Sequence, residues 1–148
     1  MLGIRTPENF NNPYFSRNIS EFWKRWHITF SNFLSLYVFK PVIAFLNGFS
    51  IVKYRMLVSV IAYLVTFFVC GIWHGTTANF VLWGLWHGVG LSVYKICSHV
   101  VSPHILLKNN LIRQSLGILF TFVFVTVGWV VFNYSINQLQ TMFYTLFL

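Results

Sequence analysis

Three long runs of apolar residues dominate the chain, over residues 56–73, 80–97 and 116–134. Each run approaches the roughly 20 residues that an α-helix needs to cross ~30 Å of hydrocarbon. The apolar tail over residues 139–148 is too short to cross alone. Because only helices and closed barrels span lipid, the pattern predicts an all-α membrane protein with about three transmembrane helices.

A different pattern covers residues 18–40, where aromatic side chains recur every three or four positions with basic side chains between them. This periodicity predicts an amphipathic or re-entrant helix at the membrane interface. Asn18 followed by Glu21 is typical of a capped helix start, and Glu21 can also pair with Arg25. Pro41 is expected to end or kink the helix.

The composition supports a lipid environment. The chain is 57% hydrophobic and 8% charged, whereas an ordinary soluble domain is about 25% charged. The formal net charge is +8, but the basic residues lie singly at the ends of apolar runs, which favours a multi-pass membrane protein over a nucleic-acid-binding one. The residues predicted to share the cytoplasmic face are Lys53, Arg55, Lys95, Lys108 and Arg113.

The motif Gly-aliphatic-Trp-His-Gly occurs twice, with His74 in the first copy and His87 in the second. His74 ends the first span beside a Gly-, Thr- and Asn-containing break, which favours a polar pocket and a general base. The alternative for His74 is a hydrogen bond to a neighbouring helix. His87 lies within the second span between glycines, so close packing and one interhelical hydrogen bond are its expected role.

His27 lies among the Trp and basic residues of the amphipathic helix, where it can position a substrate, carry a proton or face the interface. His99 and His104 are expected to be solvated. The chain contains no Asp, which excludes a Ser-His-Asp triad. The spacing of the two motif histidines and their lack of Cys or carboxylate companions disfavour a metal site.

Four ordered motifs resemble those of the membrane-bound O-acyltransferase (MBOAT) family. Residues 20–29 read SEFWKRWHIT and are similar to the family's FWRRWHIS signature. Residues 71–75 resemble GLWHG, residues 79–88 resemble FVLWGxxHG, and residues 127–132 resemble the WVFF segment. The resemblance favours the bacterial branch that contains alginate O-acetyltransferases and teichoic acid D-alanyl transferases.

The resemblance implies an enzyme that moves an acetyl- or D-alanyl-like group to a hydroxyl of a cell-envelope polysaccharide or similar acceptor. The implied donor is a thioester, acyl-CoA or an acyl carrier protein, and no bound cofactor is expected. The catalytic base maps to His74 and a second catalytic position to His27. Lys24 and Arg25 can attract a phosphate-bearing donor or anchor the helix in the membrane. The candidate substrate-binding residues are Trp23, Lys24, Arg25, Trp73, Asn79 and His87.

The resemblance further implies that residues 1–148 form one membrane domain, the C-terminal part of a longer fold in the bacterial cytoplasmic membrane. Additional N-terminal helices of that fold are therefore expected as partners. Two alternatives stay open: an inactive fragment of such an enzyme, or a transporter or channel subunit with a histidine proton relay. Departures from the family pattern at Ser35, Leu36 and Asn133 leave the donor, the acceptor and the activity itself open.

Overall fold

A computed structural model describes residues 6–49, 54–100 and 110–147 and confirms the prediction of an all-α membrane protein. Three long helices overlap the three predicted spans: Arg55–His74, Ala78–Val100 and Asn110–Asn133. In the described residues four helices are long and apolar enough to cross a membrane. The elements are a 3-10 turn at Pro13–Phe15, α1 Ile19–Arg25, α2 Ile28–Leu34, a π-helical segment Ser35–Phe39, α3 Lys40–Asn47, α4 Arg55–His74, α5 Ala78–Val100, α6 Asn110–Asn133 and α7 Ile136–Phe147.

The start of α1 forms as the sequence predicts. The Asn18 side chain accepts a hydrogen bond from the Glu21 backbone N–H at 2.8 Å, and the Glu21 carboxylate accepts one from the Arg17 backbone N–H at 2.9 Å. Glu21 also pairs with Arg25 at 2.7 Å. The two residues together therefore satisfy backbone donors that the first helical turn leaves free.

The prediction of one amphipathic helix over residues 18–40 is wrong in its bounds. The helix breaks at residues 26–27 and then continues through α2, the π-helical segment and α3 as far as Asn47. Pro41 therefore does not end it. A proline removes one backbone donor and crowds the preceding turn, and the wider π-helical turn directly before Pro41 accommodates that disruption. Residues 28–47 form the fourth helix that is long enough to cross.

The doubled glycine motif forms the crossing of α4 and α5, which pack antiparallel. A Cβ at Gly84 would collide with the carbonyl oxygen of Phe67 and would lie 3.1 Å from the Gly71 nitrogen. A Cβ at Gly71 would lie 2.5 Å from the carbonyl oxygen of Phe80. The first glycines of the two motif copies thus face each other, and only glycine permits this approach.

Helix α1 and the α2–α3 helix form a helical hairpin whose tip is residues 26–28. Along its first arm, the Arg17 carbonyl lies against Gly117 and Trp26 lies 5.1 Å from Trp129 between ring centroids. Along its second arm, aromatic contacts pair Phe30 with Trp73 and Phe39 with Tyr63. The hairpin therefore runs beside α6 and α4 and brings its tip to the end of α4.

Arg55, Lys95 and Arg113 lie near one end of the bundle, because Arg55 begins α4, Lys95 is near the end of α5 and Arg113 is near the start of α6. This placement agrees with the predicted common face. Lys53, Lys108 and His104 lie outside the described residues. His99 lies in the last turn of α5 rather than in a loop, and it is exposed as predicted.

Candidate active site

His27 lies at the hairpin tip in a backbone conformation that is uncommon for a residue with a side chain. Its φ is 44° and its ψ is 56°, in the left-handed region. The residue is half-buried, and its Nδ1 atom is buried without a hydrogen-bond partner among the described residues. Strained backbone of this kind persists only where the surrounding structure holds it, and it is concentrated at functional sites.

The segment before the 3-10 turn holds the hairpin tip in place. The Asn9 backbone carbonyl accepts a hydrogen bond from the Ile28 N–H at 2.9 Å, and the Arg25 carbonyl accepts one from the Asn11 N–H at 3.0 Å. The Asn9 side-chain oxygen accepts two more, from the backbone N–H and the hydroxyl of Thr29, at 3.0 and 2.6 Å. These bonds flank His27 on both sides and satisfy free donors at the start of α2.

His74 is the last residue of α4, and the chain leaves it through an extended Gly75. The imidazole is half-buried and aromatic rings surround it. Those rings belong to Phe30, Trp73, Phe80, Trp83 and Phe132, at centroid distances of 4.8 to 6.5 Å. These five neighbours carry no carboxylate, so they shape the space around the ring without pairing with it.

Phe30 joins the two histidines. Its ring lies 5.2 Å from the His27 ring and 6.5 Å from the His74 ring, between centroids. The fold therefore brings together at the end of α4 the two residues that the sequence predicts to be catalytic; their chemical roles stay predictions.

Two predicted substrate-binding residues, Trp73 and Lys24, are exposed. Trp73 is 60% exposed and packs its ring 4.3 Å from that of Phe30, so it borders the space next to His74. Lys24 is exposed on α1 and lines a cavity described below. Arg25 is engaged with Glu21 at 2.7 Å. Substrate contact by any of the three stays a prediction.

The other three predicted substrate-binding residues are tied to the protein itself. The Trp23 indole N–H donates to His87 Nδ1 at 3.3 Å, and both side chains are buried. The Asn79 amide donates to the Phe132 carbonyl at 2.8 Å and so links the start of α5 to the end of α6. Substrate contact by these residues also stays a prediction, but their bonds hold the helices around His74 in register.

A cavity of about 290 Å³, with both apolar and polar side chains in its wall, lies between the helical hairpin and the α4–α5 pair. Tyr63 and Thr66 place it two to three helical turns before His74, about 12–16 Å along the axis, on the side of Arg55. Polar side chains at membrane depth require a partner or a water-filled space. The polar residues of its wall are Ser20, Lys24, Ser31, Asn32, Ser35, Tyr63 and Thr66.

Several neighbours of the histidines escaped prediction from the sequence. Phe30 and Phe132 carry no chemical signal, because an aromatic residue on an apolar helix face is ordinary packing. The bonds between Asn9 and Thr29 could not be predicted either, since they join segments distant in sequence. Within the described residues, no three His, Cys, Asp or Glu side chains are grouped to hold a metal ion.

Comparison with known proteins places this geometry in context. A family model described as MBOAT, membrane-bound O-acyltransferase family, matches residues 1–137. The teichoic acid D-alanyltransferase of Bacillus subtilis is 35% identical over 133 residues, which are 90% of this chain and 34% of that protein. The peptidoglycan O-acetyltransferase of Helicobacter pylori is 39% identical over 135 residues, 89% of this chain and 23% of that protein.

The probable alginate O-acetylase AlgI of Pseudomonas syringae is also similar, at 36% identity over 133 residues, 90% of this chain and 23% of that protein. The chain thus spans between 23% and 34% of the length of these relatives. All three matches include His27 and His74, because each covers about nine-tenths of the chain.

Proposed function

The chain belongs to the membrane-bound O-acyltransferase family, and from this premise we propose that it transfers an acyl group from a thioester to a hydroxyl of a cell-envelope polymer. The observation that carries the proposal is the meeting of His27 and His74 around Phe30. The two residues come from separate helices, and a strained backbone holds one of them. Pure packing does not require that strain.

His74 acts as the general base. It takes the proton of the acceptor hydroxyl, and the oxygen attacks the thioester carbonyl carbon directly. The tetrahedral intermediate collapses, the carbon–sulfur bond breaks, and the proton passes from His74 to the leaving thiolate. The product is an ester and a thiol, so the imidazole ends as it began. The aromatic surroundings support this role because they limit water around the reacting atoms.

His27 has the second role in the proposal. Its place at the hairpin tip, half-buried beside Phe30, lets it orient the acceptor hydroxyl or donate to the oxygen that gains negative charge. The backbone clamp from Asn9 supports this assignment. A catalytic side chain must be positioned to within a fraction of an ångström, and hydrogen bonds to the backbone on either side of His27 restrict its movement.

The donor enters through the cavity between the hairpin and the α4–α5 pair. Acyl-CoA and acyl carrier proteins share a phosphate-bearing arm with amide groups that ends in the thioester. The Ser20, Asn32 and Ser35 side chains of the cavity match those amides, and the Lys24 ammonium matches the phosphate. The position of the cavity between Arg55 and His74 supports a donor that arrives from the cytoplasmic side.

The acceptor approaches from the opposite face. The basic end of the bundle is assigned to the cytoplasm by the positive-inside rule, which places His74 toward the outer face of a bacterial cytoplasmic membrane. The relatives are named for D-alanylation of teichoic acid and O-acetylation of peptidoglycan and alginate. A hydroxyl-rich cell-envelope polymer is the acceptor we propose, and further helices of the family fold complete its path.

The proposal is tested with the full-length protein in lipid nanodiscs, a radiolabelled acetyl or D-alanyl thioester and a hydroxyl-bearing polymer. We expect label to enter the polymer as an alkali-labile ester, with one thiol released per ester. Thiol release without ester, or pH-dependent ion flux in liposomes without transfer, would contradict it. Residues 1–148 alone, assayed in parallel, distinguish a self-sufficient enzyme from an inert fragment.

A further inference from the structure

His87, the histidine of the second motif copy, is enclosed in the core. It is 1% exposed, and its ring is surrounded by aromatic side chains from four helices. These neighbours are Phe22, Trp23, Phe67, Trp83 and Phe124. None of them is charged. A substrate has no path to this ring within the described structure, so His87 must act through its neighbours.

The hydrogen bond from Trp23 fixes the protonation of His87. An indole nitrogen can only donate, so His87 Nδ1 must present a lone pair, and a neutral ring then carries its proton on Nε2. Nε2 faces Gly128, where a Cβ would lie 3.0 Å away. An imidazolium among these uncharged rings would be a buried charge without a partner, which is costly. His87 is therefore a neutral imidazole of one tautomer.

His87 contacts one tryptophan near each histidine of the candidate active site: Trp23, on the helix before His27, and Trp83, beside His74. Its partner Trp23 lies on α1, one helical turn before His27 at the hairpin tip. Its other neighbour Trp83 lies 5.0 Å from the His87 ring and also 5.0 Å from the His74 ring, between centroids. The two tryptophans belong to different helices. Both contact His87, and they also contact each other, with 6.1 Å between their ring centroids.

We propose that His87 is a positioning residue. As a neutral acceptor it holds the helical hairpin in place through the hydrogen bond from Trp23, and it packs against the Trp83 ring, which in turn packs against His74. It thereby sets the distance between His27 and His74. The inference rests on the proposed acyl transfer. It gives the second motif copy a task distinct from proton transfer.

Three variants of the full-length protein test the inference. His87→Phe removes the acceptor and keeps a ring, Trp23→Phe removes the donor together with part of the buried indole ring, and His87→Asn keeps an acceptor oxygen near the Nδ1 position. We expect His87→Phe and Trp23→Phe each to lower kcat about tenfold or more, as a small displacement of reacting groups does, with little change in KM. His87→Asn should recover much of kcat, and the pH–rate midpoint should stay unchanged in it.

Wild-type kcat in both His87→Phe and Trp23→Phe would overturn the inference, as would a shifted pH–rate midpoint in His87→Asn, which would mean that His87 exchanges protons. If His87→Phe fails to fold, Trp23→Phe carries the kinetic test. Nitrogen NMR of 15N-histidine-labelled protein gives a readout that needs no activity. It should show His87 protonated on Nε2 and not titrating between about pH 5 and 8.

A proton on Nδ1, or a titration of His87 in that range, would contradict the inference even if no acyl transfer were found. Failure of the proposed function is separate, since it appears as absence of ester product in the wild-type protein itself. The kinetic and spectroscopic results thus report on the two proposals independently.

Discussion

The Glu21 carboxylate at the start of α1 accepts hydrogen bonds from both Arg17 and Arg25. It accepts from the Arg17 backbone and pairs with Arg17 at 3.2 Å and Arg25 at 2.7 Å, while its own side chain is 16% exposed. Partial burial acts to raise the pKa of Glu21, but the hydrogen bonds and positive charges of Arg17 and Arg25 outweigh it and hold the pKa below its ordinary value of 4.5.

We therefore expect Glu21→Gln to lower stability at neutral pH, by about 1 kcal/mol for an ion pair at this degree of exposure. A depressed pKa stabilises the fold above the unfolded value of 4.5, and that stabilisation is lost as the pH falls through the folded pKa. The melting temperatures of wild type and Glu21→Gln in detergent should thus converge as the medium is acidified below that value.

Glu8→Gln is the matched control, because Glu8 is exposed and forms no ion pair with the described residues. Its melting temperature should follow the wild-type curve. A difference between wild type and Glu21→Gln that is the same at acid and neutral pH would show that ionisation of Glu21 does not stabilise the fold.

Glycines within α5 provide a second test at the scale of residues. A Cβ at Gly84 would meet backbone of α4, which cannot move aside, whereas a Cβ at Gly90 would meet the tip of the Phe124 ring, which can rotate. Gly84→Ala should cost about 1–3 kcal/mol in the free energy of unfolding. Gly90→Ala should cost less because the added methyl meets a side chain, which can shift, and not the backbone of another helix. Equal melting temperatures would contradict the close crossing at Gly84.

Some of these residue properties could be predicted from the sequence and others could not. The polar break after His74 and the glycines around His87 correctly separated a half-buried histidine from a buried one. The Asn18 cap and the Glu21–Arg25 pair are local, and they follow from spacing alone. Phe30 could not be recognised as the link between His27 and His74, because that contact depends on how two distant helices pack.

At the scale of elements, the break between α1 and α2 decides where His27 lies. The helical periodicity of residues 18–40 continues across residues 26–27, so the pattern gives no sign of a break. The break is held by hydrogen bonds from Asn9 and Asn11, which lie far from it in sequence. The helix does not end at Pro41, because the π-helical turn before it accommodates the missing backbone donor and the bulk of the proline ring.

Asn9→Ala tests whether this clamp shapes the active site. The change removes the side-chain acceptor of two hydrogen bonds from Thr29, so we expect α2 to lose about 1 kcal/mol of capping. Because His27 then relaxes from its strained conformation, kcat should fall more than the melting temperature indicates. The measurement is kcat per folded molecule in the full-length protein, with folding assessed by gel filtration in detergent.

Asn11→Ala is the control, since Asn11 contributes only its backbone N–H to the clamp. It should retain both kcat and melting temperature. If Asn9→Ala retained wild-type kcat as well, the strained backbone of His27 would have no functional part.

At the scale of the whole molecule, the helices define two ends. The basic residues Arg55, Lys95 and Arg113 mark one end, and His27 and His74 lie toward the other. Hydropathy alone was sufficient for three of the spans, because each is a long apolar run with polar flanks. The fourth candidate, residues 28–47, was hidden by the charged and aromatic residues 21–27 directly before it, which are typical of an interfacial helix.

The orientation of these ends can be measured with a membrane-impermeant maleimide on intact cells. Cys97 is exposed and Cys70 is buried, and Cys97 lies near Lys95 at the basic end. We expect Cys97 to react only after the membrane is opened. Thr76→Cys in a Cys97→Ala background should react in intact cells, because it lies beyond His74. The reverse pattern of labelling would place the active site on the cytoplasmic face.

The central claim is that His74 removes the proton from the acceptor hydroxyl. The most direct test is acyl transfer by the full-length protein with His74→Ala, beside His99→Ala as a matched control on an exposed histidine of α5. We predict that His74→Ala inserts and folds normally but loses at least about a hundredfold in kcat, as loss of a general base does, while His99→Ala keeps wild-type kcat. A His74→Ala protein that transfers acyl groups at the wild-type rate would contradict the account.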